Sequence, residues 1–308
     1  MVVKLIKNKA KVRYEVHISK KIRIFVHYFK KLMSLDMDGK RILYVTTEMI
    51  PYFPETPMSL QSLRIPKAMS DKGADVRIFM PRFGVINERR HQLHEVIRLS
   101  GMNLIINDMD QPLIIKVASV PGERLQVYFI DNEEYFKRKA VYSDKEGNLF
   151  SDNDERAIFF AKGVLETVKK LNWKPDVVHV LGWMSSMVPA YVKEYYAEDS
   201  FFNEAKVVVS LFDNPFEGEL DDKISTKLAF DGIEGEISSF LQKPNFEAMN
   251  LSALKYADAA VKGEEFIPEI INQYLQSENI PVMEYCPEEG ISEAYNIFYA
   301  EELMNENL

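Results

Sequence analysis

Four short runs, RILYVT (41–46), DVRIFM (75–80), DVVHV (176–180) and KVVVSL (206–211), are apolar on both faces that a pleated strand presents. A strand with one wet face alternates polar and apolar side chains; runs without that alternation have both faces covered. Crossover helices supply such cover, and helix-length segments separate these runs. The spacing therefore predicts βαβ units and a mainly parallel sheet. A helix is expected over 60–72, closed by Gly73. Another is expected over 154–171, capped by Ser151-Asp152-Asn153, and a third over 187–196. LIIKVASV and LQVYFID, separated by Pro121-Gly122-Glu123, read as a hairpin. Ala257–Val261 reads as a last strand and Pro268–Ser277 as the helix after it. The expected fold class is α/β, a single Rossmann-like, doubly wound sheet.

The chain has 308 residues, 46% hydrophobic and 28% charged, enough for one large core. The expected organisation is a basic N-terminal extension over 1–38, a domain over 39–280 and an acidic C-terminal tail over 281–308. Asp221–Pro244, polar and weakly periodic, reads as an insertion or lid. The acids of 217–236, among them Glu217, Asp221, Asp231 and Glu236, read as a solvated loop, because no calcium-loop pattern is present. Ten Lys or Arg lie within residues 1–33 against the single acid Glu15, leaving 28 bases against 46 acids in the rest. An acidic body repels phosphate backbones and anionic lipid, which excludes nucleic acid as a partner of the main domain. The basic segment lacks the apolar run of a signal peptide and is too charged to span a membrane. Three readings of it stay open: a solvated or lightly helical tail, an arm for a membrane surface or anionic partner, and an extension upstream of a start at Met33 or Met37. One cysteine, Cys286, and five scattered histidines give neither an internal disulfide nor a zinc spacing. A reducing cytoplasm is the expected compartment, with no metal and no cofactor.

In parallel sheets, ligands sit at the carboxyl ends of the strands. The loops there follow Thr47, Pro81, Val180 and Leu211, and these loops and the strand ends beside them, with a further strand end at Asp131 and Asn132, give Glu48, Asp131, Asn132, His179, Trp183, Asp213 and Asn214 as candidate substrate-binding residues. Each also has a plain structural reading. His179 ends a hydrophobic strand, where a packed imidazole is common, and Trp183 can stack on a sugar ring or fill the core. Glu48 can bond hydroxyls or cap its loop, and Asp131 and Asn132 suit a turn bonding its own backbone. Asn214 before Pro215 can initiate a turn. Asp152, Asn153 and Arg156 read as scaffold at a helix start.

The run ILYVTTEMIPYFPETPMSLQSLRIPKAMSDKGADVRIFMPRFG resembles the opening of bacterial glycogen and plant starch synthases, with their "TSE-x-x-P", "LPKAL", "G-x-DVR" and "PRYG" blocks. VYFIDNEEYFKRKAVY, SDNDERAIFFAKGVLETVKKLNWKPDVVHVLGW and YADAAVKGEEFIPEI resemble later blocks, so the likeness covers 41 to about 275. The resemblance implies one lobe of a GT-B-type retaining glycosyltransferase, the acceptor-side half of an enzyme moving glucose from ADP-glucose onto an α-1,4-glucan. The implied partners are an α-glucan, ADP-glucose as donor substrate, and a partner glycosyltransferase chain supplying the second domain, for which the last thirty or so residues leave no room. Departures fall on working positions. Pro54, Thr56 and Pro57 stand where the family has a lysine and two glycines for the donor's diphosphate, and proline offers no N–H. Leu181, Gly182 and Met184 replace His, Asp and His of "HDWHT", leaving Trp183, and Phe212 replaces a further histidine. Retaining transfer needs a departing diphosphate neutralised, and each lost donor costs about 3 kcal/mol in the transition state. No catalytic residue is assigned, and the chain alone is expected to be inactive; the alternative is a non-catalytic glucan-binding or regulatory module partnering a complete synthase.

Overall fold

The computed structural model describes residues 2–8, 11–17 and 37–304. Strands β1 (Val2–Asn8) and β2 (Lys11–His17) pair antiparallel, Val2 opposite His17 and Asn8 opposite Lys11. This strand pair lies in the segment for which a solvated or lightly helical tail, a binding arm and an upstream extension are the three readings; residues 18–36, with Met33, lie outside the described residues.

The body alternates as its sequence demands. β3 (Arg41–Thr46) leads to α1 (Pro57–Asp71), then β4 (Asp75–Pro81), β5 (His94–Glu95), β6 (Met102–Ile106), β7 (Met109–Ser119), β8 (Gln126–Asp131) and the short α2 (Glu133–Phe136). There follow α3 (Asn153–Lys170), β9 (Val177–Leu181), α4 (Val188–Ala190) running into a π turn over 191–195, and β10 (Lys206–Leu211). The chain continues through α5 (Ile224–Phe230), α6 (Ile237–Phe240), α7 (Phe246–Leu254), β11 (Ala259–Lys262), α8 (Glu269–Ser277), β12 (Val282–Met283) and α9 (Ile291–Phe298). The sheet order is β12-β11-β10-β9-β3-β4-β8-β7-β5, with β6 paired to β7. Strands β12 through β8 along this path run parallel, and β7, β5 and β6 form an antiparallel edge. The predicted hairpin is β7–β8, with Ile115 opposite Ile130.

α3 is buried over most of its circumference, the charged Asp154, Arg156 and Lys162 included. A methyl group on Gly163 would sit 2.9 Å from Ile130 and 3.1 Å from Leu113, so the glycine lets helix and sheet touch. The expected cap at its start does not form. Asp152 makes no capping bond and pairs with Arg138, while Asn153 donates to the Tyr142 carbonyl and accepts from Arg156. Scaffold is the right description of that trio.

Two segments are built more firmly than their composition suggests. Residues 221–244 are not a lid: Ile224, Leu228, Ile233, Ile237 and Leu241 are buried. Lys227 bonds Asp154, Glu155 and Asp221 at 2.6, 2.9 and 3.0 Å, and Lys162 holds Asp231 at 2.7 Å, tying the middle of α5 and the residue after it to α3. Residues 281–303 are not a tail either. β12 extends the sheet, and α9 buries Ile291, Tyr295 and Phe298 while Lys72, just past α1, reaches Glu293. No helix among the described residues is long and apolar enough to cross a membrane.

Candidate functional site

The chain moves outward from β3 through β4 to β8, returns to place β9 beside β3, and moves outward again through β10 to β12. The β3/β9 boundary is the topological switch point, where an open α/β sheet opens its crevice. The loops after β3 and β9 meet there. Gly182 takes φ +86°, and a Cβ on it would lie 2.4 Å from Thr47 Oγ1 and 2.9 Å from Met58 Sδ. Glycine is thus demanded by close approach as well as by backbone sign.

The turn HVLGWMSS is packed shut. His179 is fully buried; Nδ1 lies 2.6 Å from the Tyr299 hydroxyl and Nε2 2.7 Å from Ser210 Oγ. Burial pushes its pKa down to about 3, leaving a neutral ring with both nitrogens occupied. Leu181 is buried, and Trp183, 2% exposed, lies between Tyr142 and Phe216 with centroids 4.7 Å from each. The indole therefore offers no face to a ligand. Asp131 is equally enclosed: Arg82 and Lys116 hold it at 2.9 and 3.0 Å, and both also reach Glu88. Asn132 caps α2, accepting from the Glu134 and Tyr135 amides and donating to the Pro112 carbonyl. These four candidates are buried and held within the domain, His179, Asp131 and Asn132 by polar partners and Trp183 between two rings.

Glu48, Asp213 and Asn214 remain near the crevice. Glu48 is half-buried and accepts from Thr56 Oγ1 at 2.9 Å; burial raises its pKa and that bond opposes the rise. Asn214, also half-buried, directs its amide to Met58 Sδ. Asp213 is exposed and lines a cleft of about 650 Å³ between the start of α1, the loops after β10 and β11, and the segment before α9. Sequence reasoning missed most of this lining: Gln61 and Arg64 on α1, Glu264, Glu265 and Phe266 after β11, and Tyr285 and Glu288. The rule that ligands gather at carboxyl ends of strands points to the loop after β11. Tyr285 and Glu288 lie in the segment read as a tail.

The cleft carries the carboxylates of Glu55, Asp213, Glu264, Glu265 and Glu288 against one guanidinium, Arg64, which Glu288 holds at 2.9 Å. Glu264 is pushed up chiefly by burial, opposed by the Asp213 amide bond and assisted by the Asp213 charge. The first turn of α1 is closed on itself. Thr56 Oγ1 accepts from the Ser59 amide, Ser59 Oγ accepts from the Thr56 amide, and Pro57 has no N–H. Phe212 packs so close to Gly263 that a Cβ there would meet its ring at 2.4 Å. Such a cleft suits hydroxyl donors and apolar ring faces and resists a multiply charged anion. Among the described residues no group of His, Cys, Asp and Glu is placed to hold a metal ion.

Residues 41–276 match the family described as starch synthase catalytic domain. The glycogen synthase of Chlorobium limicola is 36% identical over 204 residues, 66% of this chain and 41% of that protein. That of Pelodictyon phaeoclathratiforme is 32% identical over 240 residues, 77% and 48%. The catalytic domain of starch synthase IV from Arabidopsis thaliana, solved bound to ADP and acarbose, shares the fold at TM-score 0.63 and 16% identity, over 80% of this chain and 51% of that one. The chain thus spans under half the length of these two curated relatives. The match runs from β3 into α8, across the switch point and the loops that frame the cleft, and on it the chain belongs to the starch synthase catalytic-domain family.

Proposed function

We propose that this chain is a storage-glucan protein that binds α-glucan in the crevice and does not transfer glucose from ADP-glucose through this lobe. One observation carries the reading. The cleft at the carboxyl edge holds five carboxylates and a single guanidinium already engaged by one of them, beside a helix start where Pro57 has no N–H and the Thr56 and Ser59 amides are spent on the cap. A departing diphosphate needs cations or a row of free amides, and the cleft lining offers no unpaired cation. Removing several such donors together leaves little of the rate, even without additivity. An uncharged glucan meets no such penalty. Its hydroxyls can donate to Asp213, Glu264 and Glu265, and its apolar faces can lie on Phe266 and Tyr285, which are 76% and 42% exposed.

Calorimetric titration of the purified chain tests this directly. Maltoheptaose is expected to give a saturable heat lost in the Phe266→Ala/Tyr285→Ala variant, and ADP to give none. Binding of ADP as tight as that of maltoheptaose overturns the proposal.

A further inference from the structure

A second concavity, of about 620 Å³, lies away from the switch point, between β6, the outer side of α3, the π turn after α4 and the end of α5. Its rim presents two aromatic rings to solvent, Tyr195 (45% exposed) on the π turn and Phe230 (56% exposed) at the end of α5. Its polar groups are held in place. Asp231 accepts from Lys162 and from the Tyr191 hydroxyl, and Glu166 accepts from the Tyr196 hydroxyl. Lys162 also donates to the Ile105 carbonyl, so its ammonium is spent on fixed acceptors.

We propose that this groove is a second saccharide-binding site, taking a neutral oligosaccharide with its apolar faces on Tyr195 and Phe230 and its hydroxyls donating to Glu166 and Asp231. Glu166 spends one oxygen on Tyr196 and Lys169 and keeps the other for a hydroxyl proton, while Asp231, its side chain 9% exposed and bonded at both oxygens, offers less. The same geometry disfavours anions, because the sole ammonium of the lining is held by Asp231 and the part-exposed carboxylate of Glu166 adds a second negative charge. Exposed aromatics beside oriented acceptors fit a ligand that alternates C–H faces with hydroxyl edges. Two saccharide sites on one domain would also let a long glucan engage both, multiplying apparent affinity without a new contact.

The site shares with the function proposed above only the ligand class, and the test separates them. The intact chain is titrated with maltoheptaose beside two double variants, Tyr195→Ala/Phe230→Ala in the groove and Phe266→Ala/Tyr285→Ala in the cleft. All four side chains are more than two-fifths exposed, so folding is not at stake, and circular dichroism checks it. About two molar equivalents are expected in the wild type, one lost in each variant, with about tenfold weaker retention of the groove variant on a glycogen gel. A single equivalent that only the cleft variant removes overturns the groove site and leaves the cleft reading standing. A single equivalent that only the groove variant removes supports the groove and overturns the cleft. No heat from any form overturns both. Concentration-dependent self-association of the wild type, abolished by the groove variant and without saccharide binding there, assigns the face to a second copy and overturns the saccharide proposal.

Discussion

Acidification should destabilise this domain through His179 by an amount that can be worked out. The ring is fully buried against Tyr299 and Ser210, with Tyr295 stacked and Tyr44 tilted beside it, and burial is the one cause of its depressed pKa. Its pKa lies at about 3 in the folded chain against 6.5 for a free side chain. The folded state therefore resists a proton that the unfolded state accepts. The stabilisation is complete above pH 6.5 and is lost as pH falls toward 3. At about 1.4 kcal/mol per unit the full span is worth about 5 kcal/mol, of which about 2 kcal/mol is lost between pH 7.5 and pH 5. Urea unfolding at those two pH values, on the wild type and on His179→Asn, isolates the term, since all other titrating groups are common to both. The variant is less stable at either pH, because Ser210 and Tyr299 lose a partner, but its profile should be about 2 kcal/mol flatter. Parallel profiles would refute a neutral, water-excluded imidazole at this position.

Lys227→Met should cost about 3–5 kcal/mol in the same unfolding assay, because it strands the buried Asp154 carboxylate without its cation. Trp183→Ala should destabilise by about 3–5 kcal/mol while leaving maltoheptaose affinity unchanged, since the indole fills the space between Tyr142 and Phe216; a selective loss of affinity would return it to the binding surface. Thr56→Ala removes the cap of α1 and should lower stability by about 1 kcal/mol, read as a fall in the urea midpoint at unchanged slope.

The sheet was legible because burial on both faces leaves an unmistakable pattern: the four apolar runs became β3, β4, β9 and β10, neighbours at the centre. The C-terminal segment was hidden by charge. Ile291, Tyr295 and Tyr299 recur every four residues and face the core, but the acids among and around them, from Glu288 and Glu289 through Glu293 to Glu301 and Glu302, dilute the average that composition measures. Ile224 and Leu228, then Ile233, Ile237 and Leu241, repeat the case in the segment read as a lid. The site was legible only as a place. The switch point followed from strand order, yet which side chains face the crevice depends on partners far along the chain. His179 is closed by Tyr299, 120 residues on, and Trp183 is covered by Tyr142 and Phe216. The substitutions of Pro57 and Phe212 had the most direct structural meaning, since a missing N–H and a bulky ring act locally.

The central claim is that this lobe cannot stabilise a departing nucleoside diphosphate. Incubating the chain with radiolabelled ADP-glucose and glycogen, with and without a complete glycogen synthase, measures it most directly. The account predicts no label in polysaccharide from the chain alone, whatever the enzyme's own rate beside it. Label accumulating with the chain alone, in proportion to its concentration, would contradict it.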